Sequence, residues 1–255
     1  MTMRGLVRSE WIKLASVRST YGAILLAAAA AIALGAFDYH QLVDDWDGMS
    51  AEKRADFDPV RFGFSGGFYV VILCAGTVGV LASGSEFGTG LIRTTLTAAP
   101  RRRRLLAAKT AVIGAATLAV GEAIAFATFF VGQSILAAKH LDVDLGTPHV
   151  LRAVATTGAF VAVMALLGLA LGFVVRHTAG ALALLFGLFF VAPMATAATP
   201  ALHRYTLQPV FQSLSSTTAS GQHDRPSTAA ALAACALYSA ATTAVAAWLL
   251  EHRDV

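Results

Sequence analysis

Charge is the first thing this chain lacks. Only 13% of its 255 residues are Asp, Glu, Lys or Arg, about half the roughly 25% that a soluble domain carries. With 56% hydrophobic residues and a mean hydropathy of +0.66, gathered into long uncharged blocks, this argues against one soluble core and for a polytopic membrane protein. Cysteine is nearly missing too. Cys74 and Cys235 both lie in apolar blocks, with no CxxC or Cys/His spacing. They read as small packing residues rather than a disulfide or a metal site. The chain has no GxxxxGK[ST], hence no phosphate loop of that type, and no HExxH, hence no support for a zincin-type protease. The net charge of +4 has no basic domain behind it. The positive residues gather at the edges of the apolar blocks, so nucleic acid is not an expected partner.

What is present is six apolar runs near the length of about 20 residues that a membrane-crossing helix needs: Thr20–Phe37, Gly67–Ser83, Thr110–Ala138, Ala153–Val175, Thr178–Thr199 and Thr228–Leu250. The third is long enough to tilt or to continue past the bilayer. Pro193 predicts an end or a kink in the fifth. The expectation is an all-α, polytopic integral membrane protein forming one membrane-spanning domain over residues 1–255. Neither an internal repeat nor a linker divides it. Nineteen residues precede an apolar run of eighteen, longer than a signal-peptide core, so the first span is expected to be retained.

Lysine and arginine set the orientation. With the N-terminus inside, twelve fall inside and seven outside, on outer segments that are longer in total. Seven acids between Asp38 and Asp58 all fall in the first outer loop. Both termini are thus expected in the cytoplasm, in the plasma membrane. The two longest loops, Asp38–Gly66 and Pro200–Ser227, are expected outside.

Before the first span, Val7, Trp11, Leu14 and Tyr21 recur at helical spacing among Arg4, Arg8, Lys13 and Arg18. That pattern predicts an amphipathic helix in the headgroup plane, anchored by Trp11. Two readings stay open: a positive flank that orients the first span, or an elbow helix that also meets a cytoplasmic partner.

The most basic segment runs from Gly84 to Lys109, between the second and third spans. Phe87, Leu91 and Thr95 stand at i, i+4 and i+8, and Ile92 and Leu96 form a second pair. This predicts a short helix from about Ser85 to Ala99. Glu86 would lie in its first turn, favoured by the helix dipole, and Pro100 would end it. Gly88 and Gly90 weaken that helix by about 1 kcal/mol each and permit close approach or a bend. Arg101–Arg104 are explained by topology and anionic lipid alone. A helix-forming stretch with two glycines and an acid is what a transducing loop would need.

These residues resemble the first cytoplasmic loop of ABC-2-type permeases, the membrane subunits of one class of ATP-driven exporters. Bacterial members often show Glu-aromatic, a Gly-rich step, Arg, Leu, then Pro with basic residues and Lys. Here those are Glu86-Phe87, Gly88-Thr89-Gly90, Arg93, Leu96, Pro100-Arg101 and Lys109. "RSEWIKLASVRST" is similar to the opening of actinobacterial members, with Glu10, Lys13 and Arg18 matching. The resemblance implies a permease working as a homodimer or heterodimer with separate ABC ATPase subunits, which bind ATP and magnesium. This chain would then hold no cofactor and no catalytic site. Glu86, Phe87, Gly88, Gly90, Leu91, Arg93, Leu96 and Pro100 would couple it to the ATPase.

Glu122 is the only charged residue within the six runs, and an intramembrane acid is a candidate for a translocation path; protonation or a place near the interface is the alternative. "GFSG" at 63–66 matches a rhomboid-protease motif, but no histidine falls within a run to serve Ser65 as base. "GLALG" at 168–172 allows close helix approach within the chain or between chains. Phe126, Phe129, Phe130, Phe186, Phe189 and Phe190 read as bulk facing lipid or core. The segment Pro200–Ser216, with Pro209 interrupting it, is either re-entrant or an ordinary outer loop. Competing with an exporter are a non-transport scaffold or sensor subunit and, less favoured, an intramembrane protease. The substrate is not legible.

Overall fold

The computed structural model describes residues 2–88, 102–217 and 225–252. Among them there is no strand, and six helices are long and apolar enough to cross a membrane. The protein is an all-α polytopic membrane protein, as the apolar runs predict.

Helix α1 (Met3–Ser16) starts where the Thr2 hydroxyl accepts the Gly5 N–H, a side-chain cap for one of the free donors of the first turn. Val17 leaves helical geometry, and α2 (Arg18–Asp45) begins at once. At 28 residues α2 is about 42 Å long, well beyond the roughly 30 Å hydrocarbon core, so its last turns, with Asp38 and His40, extend past the length a membrane needs. A short loop helix, α3 (Ala51–Ala55), follows. Then come α4 (Gly67–Gly88), α5 (Arg102–Leu136) and α6 (Val150–Val175).

The centre of the bundle is the α4–α6 crossing. A side-chain carbon added at Gly79 would overlap the Ala165 carbonyl, one at Gly168 the Gly76 carbonyl, and one at Gly172 the Ser83 hydroxyl. The Ser83 hydroxyl donates to the Leu169 carbonyl at 2.9 Å. Small residues therefore let the two backbones touch, which is how helices associate where no hydrophobic effect separates protein from lipid. The Gly168/Gly172 pair is used inside the chain.

The fifth span is made of α7 (Thr178–Phe186), a π-turn over Gly187–Val191, and α8 (Ala192–Thr196). Pro193 cannot donate and would clash with the carbonyl four residues back, and widening the preceding turn is one way to relieve this. The helix ends at Thr196, three residues short of the sequence expectation. Two short helices follow, α9 (Pro200–His203) and α10 (Leu207–Leu214). Pro209 does not interrupt α10, contrary to expectation. It lies in the first turn, whose opening hydrogen bond is made by the next residue, Val210 N–H to Thr206 O, so the missing donor is not needed. Phe211 is buried against Phe68, Tyr69 and Phe160, so this segment is packed into the bundle rather than draped over it. The last span is α11 (Thr228–His252). Helices α2 and α11 are peripheral and expose Leu25, Leu26, Leu237 and Trp248.

Candidate functional site

The ends of the bundle differ chemically. At one end, loop residues are stitched by neutral and acidic hydrogen bonds. Tyr39 on α2 donates to the Pro59 carbonyl at 2.6 Å, in a space opened by Gly63 and Gly132. Asp58 is buried, and its two oxygens accept four donors: the Val60 and Arg61 N–H groups at 3.0 Å each, the Ser216 hydroxyl at 2.8 Å and the Thr217 N–H at 2.8 Å. Burial pushes the Asp58 carboxyl up, but these donors outweigh it and hold it below its ordinary range. Asp58 thus ties the first loop to the residues after α10.

At the opposite end four charged side chains meet. Lys109, in the second turns of α5, is 2% exposed; Glu10 on α1 is 4% exposed and Glu86 on α4 is 6% exposed. Lys109 Nζ donates to Glu10 Oε2 at 2.6 Å, Glu86 Oε1 at 3.0 Å and the Ala82 carbonyl at 2.9 Å. That uses all three ammonium protons. Lys13 Nζ, on the more open side, donates to Glu10 Oε1 at 2.8 Å and Glu86 Oε1 at 2.9 Å. Two positive and two negative charges close into a neutral set, which is what permits their burial. Burial pushes the Glu10 carboxyl up, and the attraction and hydrogen bonds of Lys109 and Lys13 overcome it, leaving Glu10 below its usual value. Lys13 is raised by the same carboxylates against the opposing effect of burial. Among the described residues no donor reaches the buried Glu86 Oε2.

The local sequence explains the placement. Leu6 and Val7 on α1 pack against Leu105 and Ala108 on α5, bringing Glu10 and Lys13, one turn on, over Lys109. The i, i+3 spacing keeps both α1 charges on one face. Ser83 and Gly84 hold the end of α4 against α6 and Thr178, so α4 stays helical through Glu86.

This corrects two expectations. Glu86 is not in the first turn of a separate helix. It stands in the last turns of α4, where the dipole disfavours an acid, and two ammonium groups satisfy it instead. Lys13 is not simply a flanking charge, and α1 is more than a headgroup-plane helix: it is fixed to α4 and α5 through Glu10. Trp11 does face outward, 54% exposed, while Arg18 opens α2 and Tyr21 lies on α2. Phe87 stands edge-on to Phe173 at 5.9 Å, with the Arg176 guanidinium 5.3 Å from its ring centre. Gly88 ends α4, and among the described residues nothing lies within 4 Å of a side-chain carbon placed on it. Gly90, Leu91, Arg93, Leu96 and Pro100 lie outside the described residues.

Of the arginine run, Arg102 donates to the Leu250 carbonyl and Arg103 pairs with Glu251, where cations favour the C-terminal end of α11. Arg102 and Arg103 therefore tie the start of α5 to the end of α11. Glu122 is partly buried beside Gly158 of α6, whose missing side chain makes the room. Ser65 donates to its neighbour Phe62 O at 2.6 Å, a local turn bond. Among the described residues no three His, Cys, Asp or Glu side chains gather as metal ligands.

The sequence signal for this cluster was partial. Glu10 and Lys13 form a visible local pair, and Glu86 and Lys109 mark the two edges of the basic loop, but nothing local joins the two pairs. No family model, no curated protein and no solved structure matches the chain.

Proposed function

We propose that this chain is the membrane-spanning permease subunit of an ATP-driven exporter, powered by a separate ATPase subunit. One observation carries the reading: Glu86 and Lys109 flank the segment 89–101, and both are locked by buried ion pairs to each other and to the N-terminal helix. A push on the loop is then delivered to α1, α4 and α5 together. Helix α4 passes it to α6 through their backbone contact.

In this reading the end that holds the ionic cluster faces the cytoplasm of the plasma membrane. Two permease chains pair, as homodimer or heterodimer, and two ATPase subunits bind ATP and magnesium. ATP closes the ATPase pair, the loop moves, and the bundle changes the side to which its substrate path opens. Glu122, beside the α5–α6 crossing, borders that path. Glu86 Oε2, which has no donor among the described residues, stands two residues before the end of α4.

The test is co-purification of the tagged chain in mild detergent beside a variant with residues 86–96 scrambled. A nucleotide-hydrolysing subunit held by the wild type and lost by the variant is the expected result. If neither form retains an ATPase although both insert into the membrane, the exporter reading fails and a scaffold or sensor subunit takes its place.

A further inference from the structure

We propose that the chain carries a site for one anionic phospholipid, its acyl chain lying in an apolar groove between α2 and α5 and its headgroup on α1. The site does not depend on the exporter reading.

The groove holds about 340 Å³. Toward the Asp58 end it is closed where α2 meets α5, at Gly35 beside Thr128 and at Tyr39 over Gly132. Toward the ionic cluster it is lined by Trp11, Leu14 and Ala15 of α1, and α4 forms its floor with Cys74 and Val78. Between these limits α2 and α5 stand apart, and Leu25 and Ala119 form exposed rims.

Its chemistry selects the occupant. Water in a cavity needs two to four polar partners. The deep hydroxyl, Thr117, is already spent on the Ile113 carbonyl at 2.7 Å; Thr20 and Tyr21 lie at the start of α2, and among the described residues no charged side chain lines the groove. The space suits a hydrocarbon and not water. The groove takes up part of an acyl chain, which the surrounding bilayer supplies.

The headgroup preference comes from α1. Arg4, Arg8, Trp11 and Ala15 stand at i, i+4, i+7 and i+11, on one face of the helix. Trp11 and Ala15 line the groove. Arg4 and Arg8 are exposed and make no ion pair among the described residues. The stripe therefore runs from two available guanidinium groups, through an interfacial tryptophan, into a hydrocarbon slot. Lys13 is committed to the ionic cluster and contributes little.

The experiment is native mass spectrometry of the purified full chain, equilibrated with equal amounts of phosphatidylglycerol and phosphatidylcholine bearing the same acyl chains. One phosphatidylglycerol retained per chain is expected, preferred on the order of tenfold over phosphatidylcholine, since each surface cation contributes several-fold. Arg4→Gln/Arg8→Gln, at exposed positions, should erase the preference while one lipid of either kind stays bound. Ala116→Phe/Ala119→Phe should remove retention of both, and Ala119→Leu is the milder filling if the double variant does not fold. Equal retention of the two lipids by the wild type, or retention unchanged by filling the groove, would overturn the proposal.

Discussion

Replacing Lys109 by methionine probes the ionic cluster most sharply. The side chain keeps its length but loses the charge and all three hydrogen bonds, to Glu10, Glu86 and the Ala82 carbonyl. Two buried carboxylates are then left with Lys13 alone, a net negative charge out of reach of water. Removing one partner from a buried set costs about 3–5 kcal/mol. For a chain of this size that is a fall in Tm of roughly 10 °C. Lys13→Met is a natural control. The Lys13 side chain is 46% exposed, solvent screens it, and its loss should cost no more than about 1 kcal/mol. Glu10→Gln/Lys109→Met removes one charge of each sign, leaves the Lys13–Glu86 pair, and should recover part of the loss. The assay is thermal unfolding in detergent, followed by tryptophan fluorescence. The reasoning is refuted if Lys109→Met melts with the wild type, or if the double variant is no more stable than Lys109→Met alone.

The remaining predictions are shorter. Gly79→Ala should sharply lower Tm, because the new carbon would overlap the Ala165 carbonyl, whereas Gly88→Ala meets nothing within 4 Å among the described residues and should be neutral or slightly stabilising; parallel melts check the contrast. Asp58→Asn keeps the shape but presents an amide to N–H and hydroxyl donors, and limited proteolysis should then cut within 46–66 faster than in the wild type. Glu10 and Asp58 have carboxyls depressed from 4.5 and 3.8. Their contribution is therefore full above those values and lost as pH falls through the lower folded ones. Lys13 is raised above 10.5, so its contribution is full below that value and lost only as pH rises through the higher one. Tm measured against pH should be flat through neutrality and fall at both extremes, and a fall between pH 6 and 8 would contradict this assignment.

The spans were legible because each is a long uncharged block, a signal that needs no knowledge of partners. Their ends were less so. Ser83-Gly84-Ser85 looks like a helix break in isolation, yet Ser83 bonds to Leu169 O and Gly84 lies against Thr178, so tertiary contacts carry α4 on to Gly88. That shift moved Glu86 from the start of one helix to the end of another. Pro193 correctly marked trouble in the fifth span, while Pro209 was misread, because a proline is harmless in a first turn and only the register of α10 reveals that it is in one. The ionic cluster joins residues 73 and 99 positions apart, and no periodicity reports such a pairing.

The most direct test of the coupling claim is to place a photo-crosslinking residue at Leu91, in the loop between Glu86 and Lys109, and a second probe at Met194, an exposed position at the other end of the bundle. The account predicts that illumination joins the Leu91 probe to a nucleotide-binding ATPase subunit, that the Met194 probe captures none, and that Lys109→Met weakens the Leu91 product. Capture at both sites, at Met194 alone, or at neither in membranes where the chain is inserted would contradict it.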